Sequence, residues 1–143
     1  MKVSIILLFV LFFVQLRAET EPELISNAQI YYSGWSSTTI IPKTYDSLKK
    51  SNDYILNISR RAIVERILQR LNLLEWVDQN GNVNDIDCRL LIEFGNAKKS
   101  LVKRFISSGA NIYEVGENDV ILRKAAINET FRSEFDLTSR LFN

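Results

Sequence analysis

Polar and apolar residues alternate from Ala28 to Trp35. Ala28, Ile30, Tyr32 and Gly34 fall on one side, Gln29, Tyr31, Ser33 and Trp35 on the other. This period of two, carried partly by aromatics, predicts a half-buried strand. Ser36 to Thr39 reads as a loop. Ile40 and Ile41 read as a second short strand stopped by Pro42, which has no N–H to give a ladder. Thr44 is placed to cap a short helix over Tyr45 to Lys50. Ser51-Asn52-Asp53 breaks it, and Tyr54 to Ile58 is a short extended segment.

The period then changes. Ile63, Ile67, Leu71 and Leu74 recur at helical spacing, and Val64 and Leu68 widen the stripe. Arg60, Arg61, Glu65, Arg66, Gln69 and Arg70 cover the other side. Ser59 is expected to cap this longest helix, which should end near Val77, before the polar run Asp78 to Asn82.

Alternation returns afterwards. Asp87 to Phe94 sets Cys88, Leu90, Ile92 and Phe94 against Arg89, Leu91 and Glu93. Leu101 to Ile106 sets Leu101, Lys103 and Phe105 against Val102, Arg104 and Ile106. Asn111 to Val115 and Val120 to Arg123 flank the hairpin loop Gly116 to Asp119. Short turns between consecutive strands imply an antiparallel meander. Asn128 caps a last helix whose stripe is Phe131, Phe135, Leu137, Leu141 and Phe142. Segregated strands and helices predict an α+β fold: an antiparallel sheet of four to five strands packed against one long helix and a C-terminal helix. The first strand should join the meander by a non-sequential pairing.

The front of the chain carries a different signal. Lys2 precedes an apolar run of 12 residues, Val3 to Val14, and Gln15 to Ala18 follows it. The run is too short for a spanning helix, which needs about 20 residues, and suits the h-region of a cleavable signal peptide. The expected organisation is a signal peptide over 1–18, a flexible acidic leader over 19–26 and a single domain over 27–143. Cys88 is the single cysteine, so no disulfide can form within the chain. Small secreted eukaryotic domains usually carry several bridges, so a bacterial periplasmic or secreted protein is expected. Two glycosylation triplets, Asn57-Ile58-Ser59 and Asn128-Glu129-Thr130, support a eukaryotic secreted alternative.

Charge removes some partners. Without Lys2 and Arg17 the chain has sixteen basic and seventeen acidic residues, a balance that gives no field for nucleic acid or an anionic membrane. Another protein is the expected partner. The chain has no histidine, which excludes Ser-His-Asp and Cys-His nucleophile systems and zinc sites built on imidazole. Neither a phosphate-cradling glycine motif nor any other cofactor motif is present. Asp78, Asn80 and Asn82 have the first spacings of a calcium loop, but Val83 stands where its glycine belongs and Arg89 where its bidentate carboxylate belongs. Asp87 and Glu93, followed by Lys98 and Lys99, resemble a metal-dependent nuclease hairpin, yet an extended strand separates the two carboxylates by about 20 Å. Cys88, on an apolar strand face, reads as a buried inert thiol; a reactive thiol or a bridge between two chains is the alternative.

Two segments remain as candidate partner-binding sites. Tyr31 and Trp35 would form a rigid aromatic platform if their strand face is exposed, and would be core if it packs. Lys98 and Lys99, with Lys103 and Arg104, would form a basic hairpin: a docking patch for an acidic partner, or solvated charge protecting a sheet edge. The expected function is a non-catalytic protein-binding module. Inhibitors of extracellular hydrolases and immunity proteins against exported toxins share its size, compartment and lack of catalytic residues. Two other readings stay open. One is a hydrolase or lyase using Asp85, Asp87 or Glu93 with a tyrosine. The other is a homo-oligomer joined through the edge of the meander.

Overall fold

The computed structural model describes residues 24–35, 43–51 and 54–135. Seven strands build one antiparallel sheet: β1 (Ile25–Tyr32), β2 (Tyr54–Ile58), β3 (Val77–Asn82), β4 (Leu90–Asn96), β5 (Leu101–Ser107), β6 (Asn111–Val115) and β7 (Val120–Ala126). The helices among the described residues are α1 (Tyr45–Ser51), α2 (Arg61–Asn72) and α3 (Glu129–Glu134). Across the sheet the order is β2-β1-β4-β5-β6-β7-β3. The fold is α+β, and β1 joins the meander by the expected non-sequential pairing, with β4 as its partner.

β4 lies inside this order and is covered on both faces. Only Glu93 of its seven residues is partly exposed. Its consecutive apolar residues Leu90, Leu91 and Ile92 therefore feed two different cores. On the first face Ala28, Ile30, Leu90, Ile92, Phe94 and Phe105 pack beneath Val64 and Leu71 of α2 and Phe131 of α3. On the second, Tyr31, Leu91, Ile106 and Ile121 pack with Leu48 of α1 and with Val83 and Ile86 of the connection before β4. Each large aliphatic side chain buried in this way contributes about 1.5–3 kcal/mol.

The sheet is wider than the four to five strands expected. Tyr54 to Ile58 is a full strand, in register with β1 from Ala28↔Ile58 to Tyr32↔Tyr54. The polar run Asp78 to Asn82, which resembles a turn, is most of β3 and pairs with β7. β3 is an edge strand with five of its six residues exposed, so its backbone can complete a ladder without apolar side chains. Its pairing shifts register between Asp78 and Gly81. The edge of the meander at β7 is thus already occupied.

α2 stops at Asn72 rather than near Val77. The Leu73 N–H closes on the Gln69 carbonyl at 3.1 Å, and Trp76 folds back to donate its Nε1–H to the Leu71 carbonyl at 2.9 Å. These bonds satisfy carbonyls that a helix end leaves open. At the other end Ser59 is not the cap; Arg60 holds that position in extended conformation with no side-chain hydrogen bond. The capping expectation for α3 is met: Asn128 Oδ1 accepts the Phe131 N–H at 2.8 Å. Cys88 precedes β4 and joins the second core, opposite to Leu90, Ile92 and Phe94, because the alternation does not extend back before Leu90. β1 begins at Ile25, inside the segment read as a leader. The expected signal peptide, the strand at Ile40 and Ile41, and the residues Leu137, Leu141 and Phe142 lie outside the described residues.

Ile92→Ala should lower stability by about 2–5 kcal/mol, the range for deleting a buried aliphatic side chain. Ile55→Ala, on an exposed position of β2, should cost less than about 1 kcal/mol. Urea unfolding midpoints at unchanged slope check both.

Candidate binding site

α2 crosses the first face of the sheet at an offset. Val64 and Leu71 point into the core, and Ile67 and Leu68 are half-buried. The flank carrying Ile63, Arg66, Ile67 and Arg70 looks across a groove toward Leu56 and Ile58 of β2. Leu56 and Ile58 stand on the α2 side of the sheet because they are registered with Ile30 and Ala28. Ile30 lies at the base, and Glu134 and Phe135 close one end. The groove has a volume of about 640 Å³, within the range of about 300–1,000 Å³ that small-ligand sites occupy.

Its chemistry is apolar with cations on one wall. Ile63 remains 39% exposed although it stands one position from fully buried Val64. Arg70 meets Glu134 at 3.3 Å. Arg61 pairs with Glu65 at 2.6 Å and is not part of the lining. Arg60 and Arg66 both line the groove, and neither pairs with an acidic side chain among the described residues. A shallow depression lined by Gln29, Asn57, Ser59 and Lys99 continues from the Ser59 end.

The residues singled out by sequence are placed differently. Tyr31 is buried in the second core; its hydroxyl donates to Gln29 Oε1 at 3.2 Å, and Lys49 Nζ lies 5.7 Å from its ring centre. β1 ends at Tyr32, and Gly34 takes φ 87° as the chain turns away. Trp35 therefore falls on the opposite side, packed edge-on against Tyr32 at 5.4 Å, with its Nε1–H on the Arg132 carbonyl at 3.1 Å. No aromatic platform joins Tyr31 to Trp35. The basic hairpin also divides. Lys98 and Lys99 are exposed in the β4–β5 turn, organised by Asn96 Oδ1, which accepts the N–H of Lys98 and of Ser100 at 2.9 Å each. Lys103 pairs with Glu114 on one face, and Arg104 with Glu93 and Asp119 on the other. Lys99 alone of these residues borders the groove region.

Sequence reading placed Ile63 in the core stripe and Arg66 on a solvated face. A usable signal was there: two adjacent apolar columns, Ile63–Ile67 and Val64–Leu68–Leu71, are more than one sheet contact needs.

The second face holds a polar cluster centred on Arg104. Arg104 Nη1 reaches Asp119 at 2.6 Å, its Nε reaches Glu93 at 3.2 Å, and its guanidinium lies 5.0 Å from the Tyr45 ring centre. Lys49 meets Glu93 at 2.8 Å, and Tyr45 donates to Asp119 at 2.7 Å. Asp87 is held separately, by the Lys43 N–H at 2.8 Å and by Arg89. Glu93 and Asp87 are thus tied to different cations and do not share a site. Among the described residues no group of three Cys, Asp or Glu side chains is placed to hold a metal ion.

Two titrating groups respond to burial and bonding. The hydrogen bond to Asp119, with burial, pushes the Tyr45 phenol from 10.0 up to about 12. The folded protein then holds this proton more tightly than the unfolded chain, so the associated stability is complete below pH 10. It is lost as pH rises from 10 through about 12. Tyr45→Phe should flatten that part of the stability profile, read as unfolding midpoint against pH. Burial likewise pushes the Cys88 thiol from 9.0 up to about 12. A fully buried sulfur cannot bridge two chains without unfolding around it. Native protein at pH 8 should leave Cys88 unmodified by a thiol reagent, with labelling appearing only on unfolding. Comparison of the chain with known protein families, curated proteins and solved structures finds no match.

Proposed function

We propose that the chain is a non-catalytic binding module that acts after export, in a periplasm or the medium, and recognises another protein through the groove between β2 and α2. One observation carries this reading: an apolar groove whose cationic wall includes Arg60 and Arg66, neither paired with an acidic side chain among the described residues. A guanidinium beside exposed apolar surface gains most when a partner covers the apolar part and supplies the counter-charge together, and arginine is enriched at interface hot spots for this reason. Catalysis by carboxylates draws no comparable support: Glu93 and Asp87 are each bonded to a basic side chain, and Asp85 stands exposed in the connection before β4.

The comparison with hydrolase inhibitors and immunity proteins stays one of size and compartment. A homo-oligomer is the second reading. Its supporting observation is the uncharged edge strand β2, not the meander edge, which β3 occupies.

The double variant Ile63→Asp, Arg66→Glu changes two exposed residues and should leave the fold intact by circular dichroism. Tagged wild-type chain should capture a partner from the exported fraction of its source cells, and the variant should not. Equal capture by both, or none by either, rejects the groove as the partner site.

A further inference from the structure

Resting on that reading, we infer that the groove takes an extended, acidic and apolar segment of the partner protein, added as an eighth strand along the outer edge of β2. The two ends of the sheet differ sharply. β3 carries Asp78, a glycine at Gly81 and a register shift, features that discourage another strand from docking. β2 has none of these. Tyr54-Ile55-Leu56-Asn57-Ile58 contains no charged residue and no proline, and it pairs with β1 residue for residue without a bulge. Among the described residues no strand pairs with the outer edge of β2, and so regular an edge is a template for another strand.

The groove supplies what an edge alone lacks, which is side-chain selection. A strand laid beside β2 turns every second side chain to the α2 side. There it meets Leu56 and Ile58 on one wall and Ile63 and Ile67 on the other. The lengths match. Five residues of strand cover about 16 Å, and the flank from Arg60 to Arg70 rises about 15 Å along the helix. Carboxylates on the incoming segment would reach Arg60 and Arg66. Charge also decides between this partner and a second copy of the chain. A β2–β2 pair would set two arginine walls side by side, and the carboxylate each copy has in its groove, Glu134, is already paired with Arg70, whereas an acidic segment brings free counter-charge.

The test pans the full chain against a displayed library of random linear peptides, in parallel with Arg66→Glu. The enriched peptides should be acidic, with apolar residues at every second position, and should bind Arg66→Glu at least about tenfold more weakly, a loss of about 1.4 kcal/mol. N-methylating the best peptide one amide at a time should abolish binding with a period of two, because only alternate amides face β2. Enrichment of basic or neutral peptides, or tolerance of N-methylation throughout, overturns the inference. No enrichment, alongside groove-dependent capture of a partner, overturns strand addition but leaves the groove as the partner site; absence of both removes the functional reading too. A concentration-dependent dimer dissociated by Ile55→Lys would assign the edge to a second copy and overturn the inference.

Discussion

A strand buried on both faces cannot exist unless both faces are roofed, and β4 is such a strand. Leu90, Leu91 and Ile92 are all fully buried, so adjacent residues depend on opposite covers. α2 and α3 cover one side, and α1 with the connection through Val83 and Ile86 covers the other. β1 and β5 hydrogen-bond the strand on its two edges. The chain must therefore bring β1, far away in sequence, beside β4 before either core is complete.

The two covers are fastened by different means. α2 rests on apolar contact, with Val64 and Leu71 seated on Ile30, Ile92 and their neighbours. α1 buries only Leu48 among its seven residues and relies on polar bonds besides. Lys49 reaches Glu93 of β4, and Tyr45 reaches Asp119 at the end of the β6–β7 hairpin. Arg104 binds both carboxylates and stacks on Tyr45, which ties the helix, the central strands and the hairpin together. Asn118 and Asp119 both adopt left-handed backbone, φ 57° and 59°, at the turn that delivers the Asp119 carboxylate. Such positions cost a non-glycine residue about 1 kcal/mol or more, a cost the bonds to Arg104 and Tyr45 help to offset. These bonds fasten α1 to the sheet, and each carboxylate of the cluster is tied to a basic side chain.

The groove is the remainder of the other fastening. α2 carries more apolar surface than the sheet beneath it can cover, because its axis lies toward the β1–β2 end and β2 is the last strand. Ile63 is left at the mouth, and the arginines that would otherwise be a solvated helix face become one wall of an apolar channel. An opposite wall of Leu56 and Ile58 exists only because a five-residue segment pairs with β1 and extends the sheet by one strand.

The amino-acid sequence by itself determined the local elements and their faces. Alternation located β1, β4 and β5, and the helical stripe located α2, since side-chain periodicity is a local geometric property. It also determined the exclusions that follow from having no histidine and one cysteine. What only the tertiary structure decided was which surfaces are covered. The Asp78–Asn82 segment became a strand because β7 offered it a ladder. Tyr31 became core because α1 closes over its face, and Trp35 left that face because the chain turns at Gly34. Lys103 and Arg104 were separated from Lys98 and Lys99 by partners distant in sequence, Glu114 for the one and Glu93 and Asp119 for the other. Ile63 and Arg66 became a candidate site for the same reason: burial and pairing depend on neighbours that the chain brings together only when both sides of β4 are closed.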